Sequence, residues 1–175
     1  IVLEIGFGMG DTLLETAVKN PNRAYIGAEV HEPGIGSLLA GASEHDLSNI
    51  RVYKEDVCVV MKSCLPKKSL DCICIYFPDP WHKKKHHKRR LIQAPFLDLL
   101  HQCLKPGGRV HLATDWEDYA QDMMGLFSNH PDFENHAGPG GFVTGADYRP
   151  STKFERRGIN LGHGVWDMIF CSINT

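Results

Sequence analysis

The chain lacks several features that mark whole classes of protein. It has no run of about 18 apolar residues, so a transmembrane helix is not expected, and its start shows no secretory signal. None of its six cysteines forms a CxxC pair, and its ten histidines show no metal-ligand spacing. We therefore predict a cytoplasmic protein with reduced thiols, no bound metal and no membrane partner.

The chain also has little excess charge of one sign, because its net charge is only −2. The distribution is uneven, however. Residues 82–90 read HKKKHHKRR and carry six Lys or Arg side chains, which leaves −8 on the remainder. This segregation predicts one anion-binding surface on an acidic body. Taken alone, such a run is also typical of a solvated face.

Apolar runs alternate with helical patterns along the chain. Strands are predicted at 2–5, 24–27, 50–53, 70–77, 110–113 and 165–173, with helices between the first five. The alternation predicts an α/β fold, a doubly wound and mostly parallel sheet with helices on both faces. The Gly- and Pro-rich stretch 129–164 is interpreted as a functional loop before an antiparallel addition. We expect a single domain over 1–175 that has lost an N-terminal segment, because Ile1 is not Met and already lies in an apolar run.

A glycine turn, Gly6, Gly8 and Gly10, follows the first predicted strand. Glu29 ends the second strand and Asp56 follows the third. The carboxyl ends of parallel strands converge on one crevice. We therefore expect a nucleotide there, with Glu29 on two ribose hydroxyls and Asp56 near an adenine. The alternative is an ordinary structural turn.

Charge indicates which nucleotide derivative this crevice would bind. Glu4 and Asp11 flank the glycines, whose spacing is GxGxG rather than the dinucleotide GxGxxG. Two like charges about 4 Å apart cost roughly 4 kcal/mol at an effective dielectric of 20. An acidic pocket therefore disfavours a pyrophosphate, and with it NAD. It favours S-adenosylmethionine, which is cationic and has no phosphate.

The most informative stretch, Phe77-Pro78-Asp79-Pro80-Trp81, follows the fourth strand and leads into the basic run. The two prolines remove backbone donors and restrict local geometry, so Asp79 should be held rigidly at the mouth of the crevice. Trp81 offers a flat face to a base or to a packing partner, and the cations after it can bind phosphates. Together these residues predict a base pocket with a phosphate clamp.

These motifs resemble the bacterial tRNA (guanine-N7)-methyltransferase family. The resemblance covers essentially the whole chain, and also rests on Ala113-Thr114-Asp115-Trp116 and on residues 152–158, TKFERRG. It implies a class I, Rossmann-like methyltransferase fold with a seven-stranded sheet and an antiparallel C-terminal strand. It also implies methylation of guanine at position 46, in the variable loop of tRNA.

The resemblance further assigns residues to roles. Cofactor binding falls on Glu4, Glu29, Asp56 and Asp79, beside the glycines, and Asp79 also takes the proposed catalytic position. The tRNA-binding positions are Lys83, Asp115, Thr152, Lys153, Phe154 and Glu155.

Several of these roles have plainer alternatives. Asp115 could cap the helix before Trp116, and Glu155 could form a surface ion cluster with Arg156 and Arg157. Thr152 and Lys153 could be ordinary loop residues.

The sequence shows no obvious catalytic nucleophile with an adjacent general base, and the chemistry of guanine fits this absence. N7 has a free lone pair and needs no deprotonation, so placement of the base would be the enzyme's main task. Carboxylates accept hydrogen bonds from N1 and the exocyclic amine of guanine, so Asp79, Asp115 or Glu155 could select this base. Two rivals remain: a methyltransferase for small molecules or proteins on the same fold, and an RNA-binding protein that has lost the cofactor.

Overall fold

The computed structural model describes residues 1–152, 155 and 164–173. Strands and helices alternate over most of this range. The strands are β1 (Val2–Ile5), β2 (Tyr25–Ala28), β3 (Ile50–Tyr53), β4 (Leu70–Tyr76), β5 (Leu104–Thr114), β6 (Phe133–Asn135) and β7 (Trp166–Ser172). The helices are α1 (Asp11–Lys19), α2 (Glu32–Glu44), α3 (Val57–Ser63), α4 (Ala94–Cys103) and α5 (Glu117–Ser128), with short 3-10 helices at Lys84–Arg89 and Gly145–Asp147.

The strands form one seven-stranded sheet in the order β3-β2-β1-β4-β5-β7-β6. The first five strands are parallel, and β7 runs antiparallel to both β5 and β6. This architecture confirms the predicted doubly wound, mostly parallel sheet with an antiparallel C-terminal strand. The chain order reverses between β1 and β4, so ligands are expected at the carboxyl ends of these two neighbouring strands.

Two apolar clusters cover the two faces of the sheet. The larger one packs α3, α4 and α5 against alternate strand residues such as Ile73 and Ile75, and the smaller one packs α1 and α2. Cys72 and Cys74 point from β4 toward the smaller cluster, as their alternation with isoleucine predicts. All six cysteines are free. No helix in the described part of the chain is long and apolar enough to cross a bilayer.

The element predictions were wrong in two places. The interval 129–164 contains β6, which was missed because only Phe133 of its three residues is buried. The sequence Lys105-Pro106-Gly107-Gly108 predicts a turn that ends the preceding helix, but it lies within the span of β5, whose pairing with β4 jumps from Leu104 to Arg109. A β-bulge accommodates these residues, with Gly107 at φ +72°.

Candidate active site

The glycine turn forms one wall of a crevice at the carboxyl end of β1. Gly6, Gly8 and Gly10 have φ values of +66°, +57° and +83°, a left-handed conformation that glycine adopts without steric cost. A methyl group placed on Gly6 or Gly8 would meet no atom within 4 Å, so both backbones are open to a ligand. The cavity beside them measures about 280 Å³ and is lined by Glu4, residues 6–12, Tyr76, Phe77 and Thr152.

Glu29 fastens the glycine turn to β2. Its carboxylate accepts hydrogen bonds from the backbone N–H groups of Gly8 at 2.8 Å, Val30 at 2.7 Å and His31 at 3.0 Å. A carboxylate has about four acceptor sites. About one site is therefore left, enough for one of the two ribose hydroxyls that we expect here, and the three backbone donors hold the carboxylate in place.

The charge of Glu4 differs from the sequence-based expectation. Glu4 is only 6% exposed, and burial raises the pKa of its carboxyl to about 8 despite the opposing effect of Arg149. Glu4 is therefore mostly protonated at neutral pH in the ligand-free chain. Counting it as a full negative charge beside the glycines was wrong for this state, because the sequence does not reveal desolvation.

Asp56 lies after β3, where it caps a helix. Its Oδ1 accepts a hydrogen bond from the backbone N–H of Cys58 at 2.8 Å, which begins α3. The neighbouring strand ends are linked, since the N–H of Glu29 donates to the Tyr53 carbonyl at 3.1 Å. The expected contact with an adenine stays a prediction.

The segment Phe77–Trp81 carries backbone strain at both ends. Phe77 has φ +52° and Trp81 has φ +46°, values that cost a residue with a side chain about 1 kcal/mol or more. Asp79 is exposed between them, and its Oδ1 accepts a hydrogen bond from the N–H of Trp81 at 3.0 Å. Phe77 lines the cavity. The Trp81 N–H therefore orients the Asp79 carboxylate two residues beyond the cavity wall, of which Asp79 itself is not a part.

The basic run divides into an exposed part and a buried one. Lys83, Lys84, Lys85, Lys88 and Arg89 are exposed, whereas the Arg90 side chain is buried. Arg90 Nε donates to the Pro80 carbonyl at 2.9 Å, and its other nitrogens pair with Asp118 at 2.7 Å and with Asp122. Arg90 also lies over the Tyr119 ring. The exposed basic surface therefore has five cations rather than the six counted from the sequence, and the sixth, Arg90, holds the segment in place.

Aromatic side chains flank this surface. The Arg89 guanidinium lies 4.9 Å from the Trp81 ring centroid, and the His86 ring meets the Trp81 ring edge-on. Trp81 therefore has packing partners within the protein, which is one of the two roles considered for it from the sequence. Trp116, 36% exposed, meets the ring of His82 at a centroid distance of 4.2 Å. This contact brings the carboxyl end of β5 next to the basic run.

The predicted tRNA-binding residues are only partly brought together. Asp115 is half-buried at the end of β5, and the residue at the start of α5 is Trp116, so the helix-cap alternative for Asp115 is not supported. Lys83 is exposed at the start of the basic helix. Thr152 lines the cofactor cavity. Lys153 and Phe154 lie outside the described residues.

Thr152 and Glu155 form a reciprocal pair of hydrogen bonds. The N–H of Glu155 donates to Thr152 Oγ1 at 3.0 Å, and the N–H of Thr152 donates to Glu155 Oε2 at 3.2 Å, which is the capping-box pattern. The Glu155 carboxylate also pairs with Arg149 at 2.7 Å. Its described partner is thus a buried arginine, and Arg156 and Arg157, the other members of the surface ion cluster considered from the sequence, lie outside the described residues.

Arg149 belongs to a buried network that sequence reasoning missed. It forms a two-pronged ion pair with Asp167, and Asp167 also accepts from His111 Nε2 at 2.8 Å. Burial alone would raise the pKa of Asp167, but its hydrogen bonds with His111 and Arg149 outweigh that effect, so the pKa lies below its ordinary value. The available signal was a polar residue inside each of two apolar strands, His111 in β5 and Asp167 in β7.

Within the described residues, one cluster has the donor types of a metal site: His87, Asp118 and Asp122. The Arg90 guanidinium already contacts all three side chains. A cation would have to displace this charge, so the cluster is better described as an ion-pair network.

Comparisons with known proteins find a methyltransferase family. Residues 1–168 match the family Methyltransf_4, described as a methyltransferase family. A tRNA (guanine-N(7)-)-methyltransferase of Thiobacillus denitrificans is 54% identical over 169 residues, which are 97% of this chain and 74% of the relative. The enzyme of the same name from Idiomarina loihiensis is 52% identical over 170 residues, 97% of this chain and 69% of that one.

Solved structures support the fold. A SAM dependent methyltransferase from Aquifex aeolicus matches 98% of this chain and 81% of its own length, with a TM-score of 0.65 and 16% identity. At this identity the likeness bears on architecture alone. With the family match and the close relatives, it leads to one assignment: the chain belongs to the bacterial tRNA (guanine-N7)-methyltransferase family and has the class I S-adenosylmethionine-dependent methyltransferase fold.

Proposed function

We propose that this chain, a single methyltransferase domain, methylates N7 of the guanine at position 46 of tRNA in the cytoplasm. Its close relatives bear the name tRNA (guanine-N(7)-)-methyltransferase. The observation that carries the proposal is a juxtaposition: Phe77 lines the cofactor crevice, and four residues later Trp81 packs against the exposed cationic helix. Six free thiols fit a reducing compartment.

The crevice residues fit S-adenosylmethionine, which supplies an electrophilic methyl group when bound. The bare backbones of Gly6 and Gly8 leave room for the cofactor, and Gly10 completes the turn into α1. Glu29 would bind a ribose hydroxyl with its remaining acceptor site, and Asp56 would lie near the adenine. Glu4 forms the floor, where its carboxyl can ionise when a cationic group arrives.

In this proposal the protein positions the guanine for attack and does not need to activate it chemically. N7 must lie about 3–3.5 Å from the methyl carbon and in line with the breaking bond. As N7 attacks, positive charge grows on the base, and the oriented Asp79 carboxylate would stabilise it. In A-form RNA the deep groove hides N7, so the base must be splayed out or lie in a loop.

Carboxylates near the crevice can distinguish guanine from adenine, because guanine donates from N1 and its exocyclic amine. Asp115 is the stronger candidate, since the Glu155 carboxylate is already engaged with Arg149 and Thr152. Lys83 would bind a phosphate. Roles for Lys153 and Phe154 stay predictions.

The proposal is tested by methylating tRNA with labelled cofactor, digesting the product to nucleosides and mapping the modified position. Wild type should give 7-methylguanosine at position 46. Asp79→Asn keeps an oxygen for the Trp81 N–H but removes the charge, so transfer should fall about tenfold or more.

Exposed Glu44→Gln, at the end of α2, serves as the matched control and should retain wild-type transfer. Near-normal transfer by Asp79→Asn would contradict the catalytic role. Label appearing in small molecules or protein, but not in tRNA, would contradict the proposed function.

A further inference from the structure

We infer that Arg149 is a positioning residue that holds the capping box of Thr152 and Glu155 against the aromatic edge of the cofactor crevice. The inference deepens the proposed function, on which it rests for the identity of the substrate. Arg149 is 6% exposed, so its charge must be compensated inside the protein.

The Arg149 guanidinium joins segments that are far apart in sequence. Nε and Nη2 bind the two carboxylate oxygens of Asp167 on β7, at 2.7 and 2.8 Å. Nη1 donates to Glu155 Oε2 at 2.7 Å and to the Pro150 carbonyl at 3.2 Å. One planar group thereby fixes the capping box relative to the sheet.

The same guanidinium reaches the crevice through two aromatic rings. It lies 5.3 Å from the Tyr76 ring centroid and 5.5 Å from that of Phe77, within the range of cation–π attraction. Both rings line the cofactor cavity, and so does Thr152. Phe77 is also the strained residue that begins the segment carrying Asp79. Arg149 therefore contacts both parts of the site that must meet around the guanine.

A second chain of hydrogen bonds fixes the orientation of this pair. Asp167 accepts from His111 Nε2 at 2.8 Å, which leaves His111 Nδ1 to accept from the Tyr76 hydroxyl at 3.1 Å. Burial raises the pKa of Tyr76, so its hydroxyl keeps the proton that it donates. The network begins at Tyr76 in the crevice and ends at Thr152 in the same crevice, with Arg149 at its centre.

A lysine at position 149 would keep the positive charge but could not reproduce the planar arrangement of donors. A guanidinium presents its donors in a rigid plane that matches two carboxylates at once, whereas an ammonium acts as a point charge. Arg149→Lys should therefore release the capping box while preserving a cation beside Asp167. Gly145→Ala tests the same arrangement without altering a charge, because the added carbon would stand 2.4 Å from Asp167 Oδ2 and 2.9 Å from Arg149 Nη2.

The experiment compares wild type with Arg149→Lys and Gly145→Ala. Hydrogen exchange at the amides of Thr152 and Glu155, both donors in the capping box, should accelerate about tenfold or more in each variant, while amides of β4 keep their protection. In tRNA methylation, kcat should fall about tenfold with the KM for tRNA little changed, because the exposed lysines that bind phosphate are intact.

Wild-type exchange at these two amides in a folded variant would overturn the inference. Accelerated exchange with wild-type kcat would also overturn it, since the network would then be merely structural. If wild type methylates no tRNA guanine, the proposed function fails, and the exchange measurement still decides the role of Arg149.

Discussion

At the scale of single residues, Glu4 shows how burial changes the meaning of a charge read from sequence. A carboxyl that begins an acidic-looking motif proves to have a pKa of about 8, because desolvation outweighs the attraction of Arg149. Arg149, Cys74 and Tyr76 are the titratable groups that interact with it electrostatically. A cationic ligand in the crevice would favour the ionised form, so cofactor binding should release a proton.

Glu4→Gln tests this burial through stability. The folded-state pKa lies above the ordinary value of 4.5. The wild-type contribution is therefore fully present below about pH 4.5 and is lost as pH rises through about 8. Glutamine cannot ionise, so at about pH 9 the variant should exceed wild type in free energy of unfolding by roughly 2 kcal/mol or more. Urea titrations at about pH 6 and pH 9 measure the difference.

In those titrations exposed Glu44→Gln should follow the wild-type curve. Parallel pH dependences for wild type and Glu4→Gln would mean that the Glu4 carboxyl titrates normally in the folded chain.

At the scale of elements, the segment that joins β4 to α4 is held by one buried arginine. Arg90 binds the Pro80 carbonyl, two aspartates of α5 and the Tyr119 ring. These contacts fix the strained Phe77–Trp81 turn and the cationic 3-10 helix to the body of the protein. The basic run thus contains both an exposed cationic surface and the buried arginine that attaches it to the body of the protein.

Arg90→Lys should loosen this segment. A lysine cannot bind Pro80 and both aspartates at once, so the free energy of unfolding should fall by about 1–3 kcal/mol. Trypsin should cleave faster within Lys83–Arg89, and the substitution leaves the number of tryptic sites unchanged. Arg89→Lys, on the exposed side of the same helix, should alter neither quantity by comparable amounts. Equal stability and cleavage for Arg90→Lys and wild type would refute the anchoring role.

Most elements could be predicted from sequence because their signals are local. Each of the five parallel strands contains apolar residues and is followed within two residues by a glycine, a proline or a carboxylate, and α2 has Pro33 in its first turn, where proline is tolerated. The strand β6 could not be predicted, because its single buried residue, Phe133, creates no periodicity. The bulge at 105–108 looked like a turn because proline and glycine mark both structures.

Some residues of the site could likewise be predicted from the sequence, and others could not. The glycine turn, Glu29 and Asp79 follow strand ends, so their place at one edge of the sheet could be deduced from topology. The partners of Arg149 lie on β7 and beyond residue 150, and nothing in the spacing of the sequence pairs them. Arg90 could not be separated from its exposed neighbours, since burial depends on where α5 packs.

At the scale of the whole molecule, negative and positive side chains are divided along one edge of the sheet. The carboxylates of Glu29 and Asp56 follow the ends of β2 and β3, while the five exposed cations of residues 83–89 follow the end of β4. The topological reversal between β1 and β4 makes the two regions neighbours. We therefore expect a cationic small molecule and a polyanion to bind side by side without competing.

The most direct test measures both affinities against salt concentration. Neutralising Lys83, Lys84 and Lys85 to glutamine should weaken tRNA binding and reduce its logarithmic salt slope by about two to three units. The affinity for S-adenosylmethionine should not change. A control with exposed Lys62 and Lys67 neutralised, away from the crevice edge, should leave the slope for tRNA unaltered. An unchanged slope in the triple variant, or an equal loss in the control, would contradict the division of charge.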